Sequence, residues 1–492
     1  FDTEMSLDHE DLLMDRLGPS KVESEIKLSN EEKELQKVVE EKQQLMIDQS
    51  RSFMEDLFAE GSTTPVKVKN VQITNGQQLR NSFLYHQFRP LLDRDLITLA
   101  EFLRGIDQVY HNLTKHDIIE QCQISLHQLP KLKWSRLPQN TLEMVPVFNI
   151  LPQKRFFAKT GTNIGNGEGD GYIQFQLKNL FGGAENLVFD AVTGTKTPSS
   201  YLLNYSQPIN NDARLLWDSL VFVNTRKLDW IQSSVDTKGV THKITSLFDS
   251  KLNFDVSLEN SWRQLSNHGS RSMEVITQLM DTFKSSVLFN LKYDSRDHHI
   301  TPTSGYFARL GLEKCGLFLF NNVSFTKLVW EGQLARKLNE NHILVASNRA
   351  GALFGTGNQP SNVLDRFHLG GPNDVRSFLL QGLGPKDNNS SVGGDFFVSG
   401  GLSLMSHIPK TPKDSNFKFH SFLNFGKLIR GGDTWSNVLK KLSREHTISM
   451  GTGILYNHPQ ARFELNFVLP LTAQSTDHLR KGIQYGVGIS FL

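Results

Sequence analysis

From about Lys154 onward the chain breaks into short segments in which apolar and polar residues alternate one by one. In Ala461–Leu469 the odd positions are Ala, Phe, Leu, Phe and Leu, and the even ones Arg462, Glu464, Asn466 and Val468. In Leu252–Glu259 the even positions are Leu, Phe, Val and Leu, set against Asn253, Asp255, Ser257 and Glu259. In Ile483–Phe491 the odd positions are Ile, Tyr, Val, Ile and Phe, and the even ones Gln484, Gly486, Gly488 and Ser490. Successive side chains of a strand point to opposite faces, so each segment has one apolar and one polar face. Roughly sixteen such segments are expected. They begin near residues 155, 171, 187, 199, 213, 240, 251, 284, 304, 323, 341, 395, 416, 446, 461 and 482. A soluble sandwich also alternates. An even number this large, no helices between the strands and a Phe-rich apolar face point instead to a closed antiparallel membrane barrel. Closure removes the edges that so many strands would otherwise expose.

The totals agree with that reading. The 492 residues contain no apolar run long enough for a membrane-spanning helix. The mean hydropathy of −0.35 suits strands that are only half hydrophobic. A net charge of +2 argues against a dedicated nucleic-acid binder. The charge is uneven, however: residues 1–64 carry 17 acidic and 7 basic side chains, a net of −10. Cys122 and Cys315 allow neither a disulfide framework nor a cysteine-based zinc site. Phe1–Gly18 is acidic and without an apolar core, so it does not read as a secretory signal.

Two further regions precede the alternating one. Residues 1–64 read as an acidic arm, flexible or partly helical, in which Ser29 and Glu32 have capping-box spacing. Residues 65–152 read as a separate α+β module. Val66, Val68, Val71 and Ile73 suggest one strand, and Gln77–Leu92 and Leu96–Leu113 two helices divided near Pro90. Gln121–Gln128 and Leu142–Leu151 suggest two more strands. Residues 153–492 are then the barrel.

Within the barrel one connection stands out, the glycine-rich loop 356–394 between the eleventh and twelfth strands. It holds Gly370-Gly371 and then Asp374-Val375-Arg376-Ser377-Phe378. A loop of this length is either functional or disordered. One arginine among apolar neighbours on glycine hinges suggests a tip that folds back and buries its charge against a partner. Parity puts this loop on the barrel end opposite the N-terminal module, together with the other long connections.

These residues carry a resemblance. LGGPNDVRSF, followed by Val392-Gly393-Gly394-Asp395, resembles the loop-six signature of the BamA-like outer-membrane insertase superfamily. Tyr293–Asp297 (YDSRD) and Pro302–Tyr306 (PTSGY) resemble a second signature, and the single α+β module resembles its POTRA domain. Phe156–Gly165 and His458–Ala473 are similar to the mitochondrial branch, the core barrels of the sorting and assembly machinery, in their fungal form. Two departures stand out. Ser377 occupies a position where the family has glycine, so the tip backbone must avoid glycine-only dihedrals or adopt them at a cost. The family's loop arginine pairs with a lumen-facing acidic residue, and the matching F-x-D position reads Phe422-Leu423-Asn424. Asn424 and Asp395, both lumen-facing by parity, are therefore the expected partners of Arg376.

The resemblance implies an insertase for β-barrel precursors in the mitochondrial outer membrane, with the POTRA-like domain in the intermembrane space. It implies two peripheral subunits on the cytosolic face, a second β-barrel as neighbour, the lipid bilayer as solvent, and neither cofactor nor metal. The seam between the first and last strands would template clients by strand addition. Its residues would be Phe157, Lys159, Thr160 and Gly161 on one side, and Gln484, Gly486, Gly488, Ile489 and Phe491 on the other. Gln484-x-Gly486-x-x-Ile489-x-Phe491 also resembles the signal by which this machinery recognises clients. An ordinary closing strand with glycines for curvature is the plainer alternative. At the level of function the alternatives are a polypeptide-translocating pore of the same superfamily and a passive porin-like channel. Enzyme readings are weaker. Lys159-Thr160-Gly161 and Ser324-x-x-Lys327 match two boxes of serine penicillin-binding enzymes, but in reversed order. Asp297-His298-His299 reads as an exposed strand-end turn rather than a metal site.

Overall fold

The computed structural model describes residues 61–488, except 94–95, 130–140, 166–167, 318–320, 357–360, 413–414, 432–434, 445 and 459–460. The acidic arm, apart from its last four residues, and Ile489 and Phe491 lie outside the described residues.

Among the described residues, the first compact unit runs from Gly61 to Arg155 and takes in the hairpin turns 178–185 and 210–213. Its strands are β1 (Pro65–Val68), β2 (Gln72–Thr74), β3 (Ile97–Thr98), β4 (Ile119–Gln128) and β5 (Leu142–Pro152). Its helices are α1 (Asn81–Leu92) and α2 (Leu99–Lys115). The single strand expected over Val66–Ile73 is two short ones, and both lie parallel to β5, through Val66↔Leu142 and Ile73↔Phe148. β4 runs antiparallel to β5, as in Ile124↔Phe148. Pro90 does not divide the helices but lies inside α1. The second helix is set by its own cap, because Thr98 and Glu101 form a reciprocal capping box that satisfies two terminal N–H groups. Phe102, Ile106, Val109 and Leu113 then fall on one face of α2 and are buried against Phe83, Phe88, Phe148 and Ile150. Gly105 permits close approach of the helices, since a Cβ there would lie 2.9 Å from Leu91 Cδ2.

The second unit is a sheet of sixteen strands. In chain order they are β6 (Phe156–Gly165), β7 (Glu168–Lys178), β8 (Asn186–Gly194), β9 (Ser199–Ile209), β10 (Asp212–Leu228), β11 (Ser233–Ser246), β12 (Leu252–Asn267) and β13 (Thr282–Asp294). There follow β14 (Gly305–Cys315), β15 (Phe325–Asn339), β16 (His342–Gly355), β19 (Phe396–His407), β20 (Phe417–Ile429), β21 (Thr447–Asn457), β22 (Arg462–Thr472) and β23 (Gly482–Gly488). The hairpin β17 (Lys386–Asp387) and β18 (Ser390–Ser391) lies within the long loop. Neighbours in sequence are neighbours in the sheet, which is the up-and-down order of a membrane barrel. No helix among the described residues is long and apolar enough to cross a membrane. β22 shows the alternation of faces. Arg462, Glu464, Asn466 and Val468 are buried, whereas Phe463, Leu465, Phe467 and Leu469 are between 41% and 57% exposed on the outer face. Phe156, Phe175 and Phe189 stack in a row across three neighbouring strands.

Two expectations need correction. β11 begins at Ser233, seven residues before the expected start near 240. Its opening SSVDTKG lacks apolar alternation, and the ladder to both neighbours carries it, through Ser233↔Leu228 and Ser233↔Asn267. The connections are also not helix-free. A short helix α3 (Met273–Ile276) and a nine-residue helix α4 (Trp435–Ser443) lie between strands.

Candidate functional site: the buried loop and its anchors

The long loop departs from β16 and folds around an apolar cluster of Phe367, Leu369, Val375, Phe378 and Leu383, packed on Leu353, Phe397 and Leu428 of the wall. Glycines make its path feasible. Gly370 and Gly371 take φ of 103° and 134°, where a side chain would be strained. Asp374 closes the turn: its carboxylate accepts the Gly370 N–H at 2.8 Å and a bond from Arg349 of β16 at 3.3 Å. Val375 fits because Gly426 faces it, and a Cβ at 426 would lie 2.8 Å from Val375 Cγ2.

Arg376 is fully buried. Its Nε and Nη2 donate to Glu464 of β22 at 3.0–3.2 Å, a bidentate charged pair. Nη1 donates to Asn424 Oδ1 at 3.1 Å, and the guanidinium lies 4.6 Å from the centre of the Phe422 ring. Glu464 also pairs with Arg462 and accepts from Asn466 Nδ2 at 2.7 Å. His420 continues the network toward Ser403 and Asn466. One carboxylate thus stands between two buried guanidiniums, and each extra hydrogen bond offsets part of the desolvation cost.

Of the two acceptors expected for Arg376, Asn424 is in contact and Asp395 is not. Asp395 instead accepts from Ser361 and from Gly431 N–H, and it lies 4.0 Å from Arg366. The principal partner is Glu464, which is not among the expected ones. The signal for it was present, because alternation in Ala461–Leu469 sets Glu464 on the polar face. The chain's pairing across eighty-eight positions was not visible.

Ser377 takes the glycine-like conformation, with φ of 77°. The strain is compensated locally. Its N–H donates to Gln484 Oε1 at 3.1 Å, its carbonyl accepts from Arg480 N–H at 2.9 Å, and its hydroxyl donates to Arg480 O at 3.3 Å. Phe378 bridges to Leu479, and Leu379 N–H donates to His478 O. Asn373 Nδ2 donates to Val487 O at 2.9 Å. The loop tip is therefore tied both to β22 and to the last strand, β23. A second anchor holds its base, where Arg263 of β12 forms a bidentate pair with Asp365 at 2.6 and 3.1 Å.

The residues expected at the seam are distributed as follows. Among the described residues the strand order runs from β23 at one end to β6 at the other. Phe157, Lys159, Thr160 and Gly161 lie in β6, paired with β7, where Tyr172 packs over Gly161. Gln484, Gly486 and Gly488 are on the buried face of β23. The register sets Gly486 opposite Glu464 and Gly488 opposite Arg462, so β23 itself places no side chain beside either charge. In the YDSRD stretch, Arg296 is held by Asp294 and Gln333, and Asp297 accepts from the N–H groups of Thr303 and Ser304.

Comparison with known proteins decides the family. The Omp85 superfamily domain matches residues 179–491. The chain belongs to the Omp85 superfamily. Within it, a SAM50-like protein of Schizosaccharomyces pombe is 30% identical over 92% of this chain and 97% of its own length. The sorting assembly machinery 50 kDa subunit of Saccharomyces cerevisiae is 31% identical over 89% and 96%. The human sorting and assembly machinery component 50 homolog is 30% identical over 70% and 75%. This Omp85 chain therefore stands with the sorting and assembly core barrels, and the yeast relatives match more of it than the animal one. BamA from Haemophilus ducreyi lacking POTRA domains 1–3 superposes with a TM-score of 0.71 at 13% identity, covering 86% of this chain and 84% of that one, a likeness of fold.

Proposed function

We propose that the protein is a membrane insertase that folds β-barrel precursors into the mitochondrial outer membrane, with its first and last strands as the template. The observation that carries this reading is the strand order among the described residues, which starts at β6 and stops at β23. Unpaired backbone N–H and C=O groups cost several kcal/mol each in hydrocarbon, about the cost that an incoming strand removes by pairing. A client's final strand adds to the seam edge, and later hairpins follow with their backbone groups satisfied throughout. The process is an exchange of hydrogen bonds, and no chemical step is required. The loop supports the exchange by holding β23 through Asn373 and Ser377 from the lumenal side. The pattern Gln484-x-Gly486-x-x-Ile489-x-Phe491 supports it further, as a stand-in for the client signal. The relatives' names support membership of a larger sorting and assembly complex. Two peripheral cytosolic-face subunits and a second barrel are the proposed companions, with the POTRA-like module in the intermembrane space.

Cysteine crosslinking in isolated mitochondria tests this. One cysteine replaces Thr160 or Gly488, and its partner is scanned along the final strand of an arrested β-barrel precursor. Crosslinks at every second client position, in register with strand pairing, are the expected result. Crosslinks confined to the lumen, or made with chains that later cross the membrane, would replace the insertase with a translocating pore.

A further inference from the structure

Helix α4 rests on the outside of the barrel wall. Strand parity fixes the side. Leu423 and Phe419 of β20 and Leu402 of β19 are exposed on the outer face, and Ile429 and Phe396 lie at even separations from them. Val438 is buried in a cluster with Phe396 and Ile429, and Leu442 packs against the same cluster with Ala352 and Phe354. Residues four apart share a helix face, so Val438 and Leu442 form the stripe that seats the helix. The seat lies at the loop end of the strands, where the apolar wall stops.

The side of this helix away from the wall is basic. Lys440, Lys441 and Arg444 are exposed. They border a cleft of about 780 Å³ whose floor is the end of β20, including Lys427 and Arg430, and whose far side includes Gln474 and Thr476. Among the described residues that line it, five are cationic and none is acidic. Arg430 is shared with Glu274 of α3. An amphipathic helix with an apolar stripe on the wall and lysines at its end has the geometry of an interfacial anchor. A basic pocket at the membrane surface recognises anionic headgroups.

We propose that this cleft binds the phosphate of an anionic phospholipid in the leaflet at the loop end of the barrel. Lys440, Lys441 and Arg444 face the phosphate charge, and Gln474 and Thr476 add neutral donors. The acyl chains run down the exposed outer face below, over Leu423, Phe419 and Met450. That continuity of apolar wall under a cationic rim selects a lipid over a soluble acidic segment. The proposal does not depend on the insertase reading.

The test uses the full chain reconstituted in phosphatidylcholine nanodiscs doped with phosphatidylglycerol. After extraction into neutral detergent, retained lipids are identified by native mass spectrometry. The wild type is expected to retain phosphatidylglycerol in preference to phosphatidylcholine. Lys440→Glu with Arg444→Glu is expected to weaken that preference by about tenfold or more, and Lys440→Gln with Arg444→Gln by less. Both side chains are exposed, and compact migration in unheated gels confirms that the variants fold. Equal retention of the two lipids by the wild type, or unchanged preference in the charge-reversed variant, overturns the proposal. Displacement by millimolar inorganic phosphate would make this a free-phosphate site and also overturn it. Binding of a glutamate-rich peptide without lipid retention would do the same in favour of a protein partner.

Discussion

Glu464 is the residue on which the buried charges converge, and its substitution separates two kinds of loss. Glu464→Gln leaves Arg376 and Arg462 buried beside a neutral amide. The expected cost is about 3–5 kcal/mol, because breaking a buried pair strands the remaining charge. Arg376→Met should cost less, by at least about 1 kcal/mol, since Glu464 keeps Arg462 and the methionine refills part of the space. Urea midpoints of the compact, heat-modifiable form would show the order, and equal losses would mean that Arg462 does not share the carboxylate. Ser377 gives a second residue-level test. Ser377→Gly relieves the positive φ but gives up the hydroxyl bond to Arg480, so the two should cancel to within about 1 kcal/mol. Ser377→Val keeps the strain, adds a branched Cβ and removes the hydroxyl, and should cost about 2 kcal/mol or more by the same midpoint. The sequence located Arg376 and the strained serine because both sit in a recognisable local pattern. It named Asp395 as partner because local parity says which side chains face inward, not which of them meet.

The elements differ in what holds them. The long loop is held by its glycines as much as by its charges. Gly426→Leu would put a side chain where Val375 packs, and the loop is then expected to leave the lumen. Faster trypsin cleavage at Arg366 and Arg376 than in the wild type would report it. In the N-terminal module, His116 packs edge-on against Phe83 at 4.8 Å, and burial pushes its imidazole down to about 4 from an ordinary 6.5. The unfolded module takes up a proton below about 6.5 that the folded one refuses until about 4. Its stability should therefore fall as pH drops through that window. Thermal melts of the full chain, read by a probe in the module, should show that slope, and His116→Phe should flatten it. Element types were legible wherever periodicity was clean, as in α2 and β22. β11 and α4 were harder to read because a polar strand end has no alternation and a nine-residue helix holds too few turns to display a period.

At the scale of the whole molecule the question is the seam. If clients enter between β6 and β23, joining those strands covalently must stop insertion without unfolding the barrel. A cysteine at Gly488, paired with one scanned along Phe157–Gly161, should form a disulfide in one register only. Oxidation should then abolish assembly of a radiolabelled precursor, and reduction restore it. Undiminished assembly with the seam locked would place client entry elsewhere. Strand number, the face each strand residue presents and the existence of the module are all legible in the local residue pattern. Those follow from nearest-neighbour geometry, since side chains of a strand alternate between its faces and backbone groups in lipid are costly unless paired. That Arg376 meets Glu464, that the loop ties down the last strand and that α4 lies on the outer wall emerge only from the folded chain. Those contacts join residues far apart in the chain, and which of several compatible charges come together depends on how the folded wall brings them into reach.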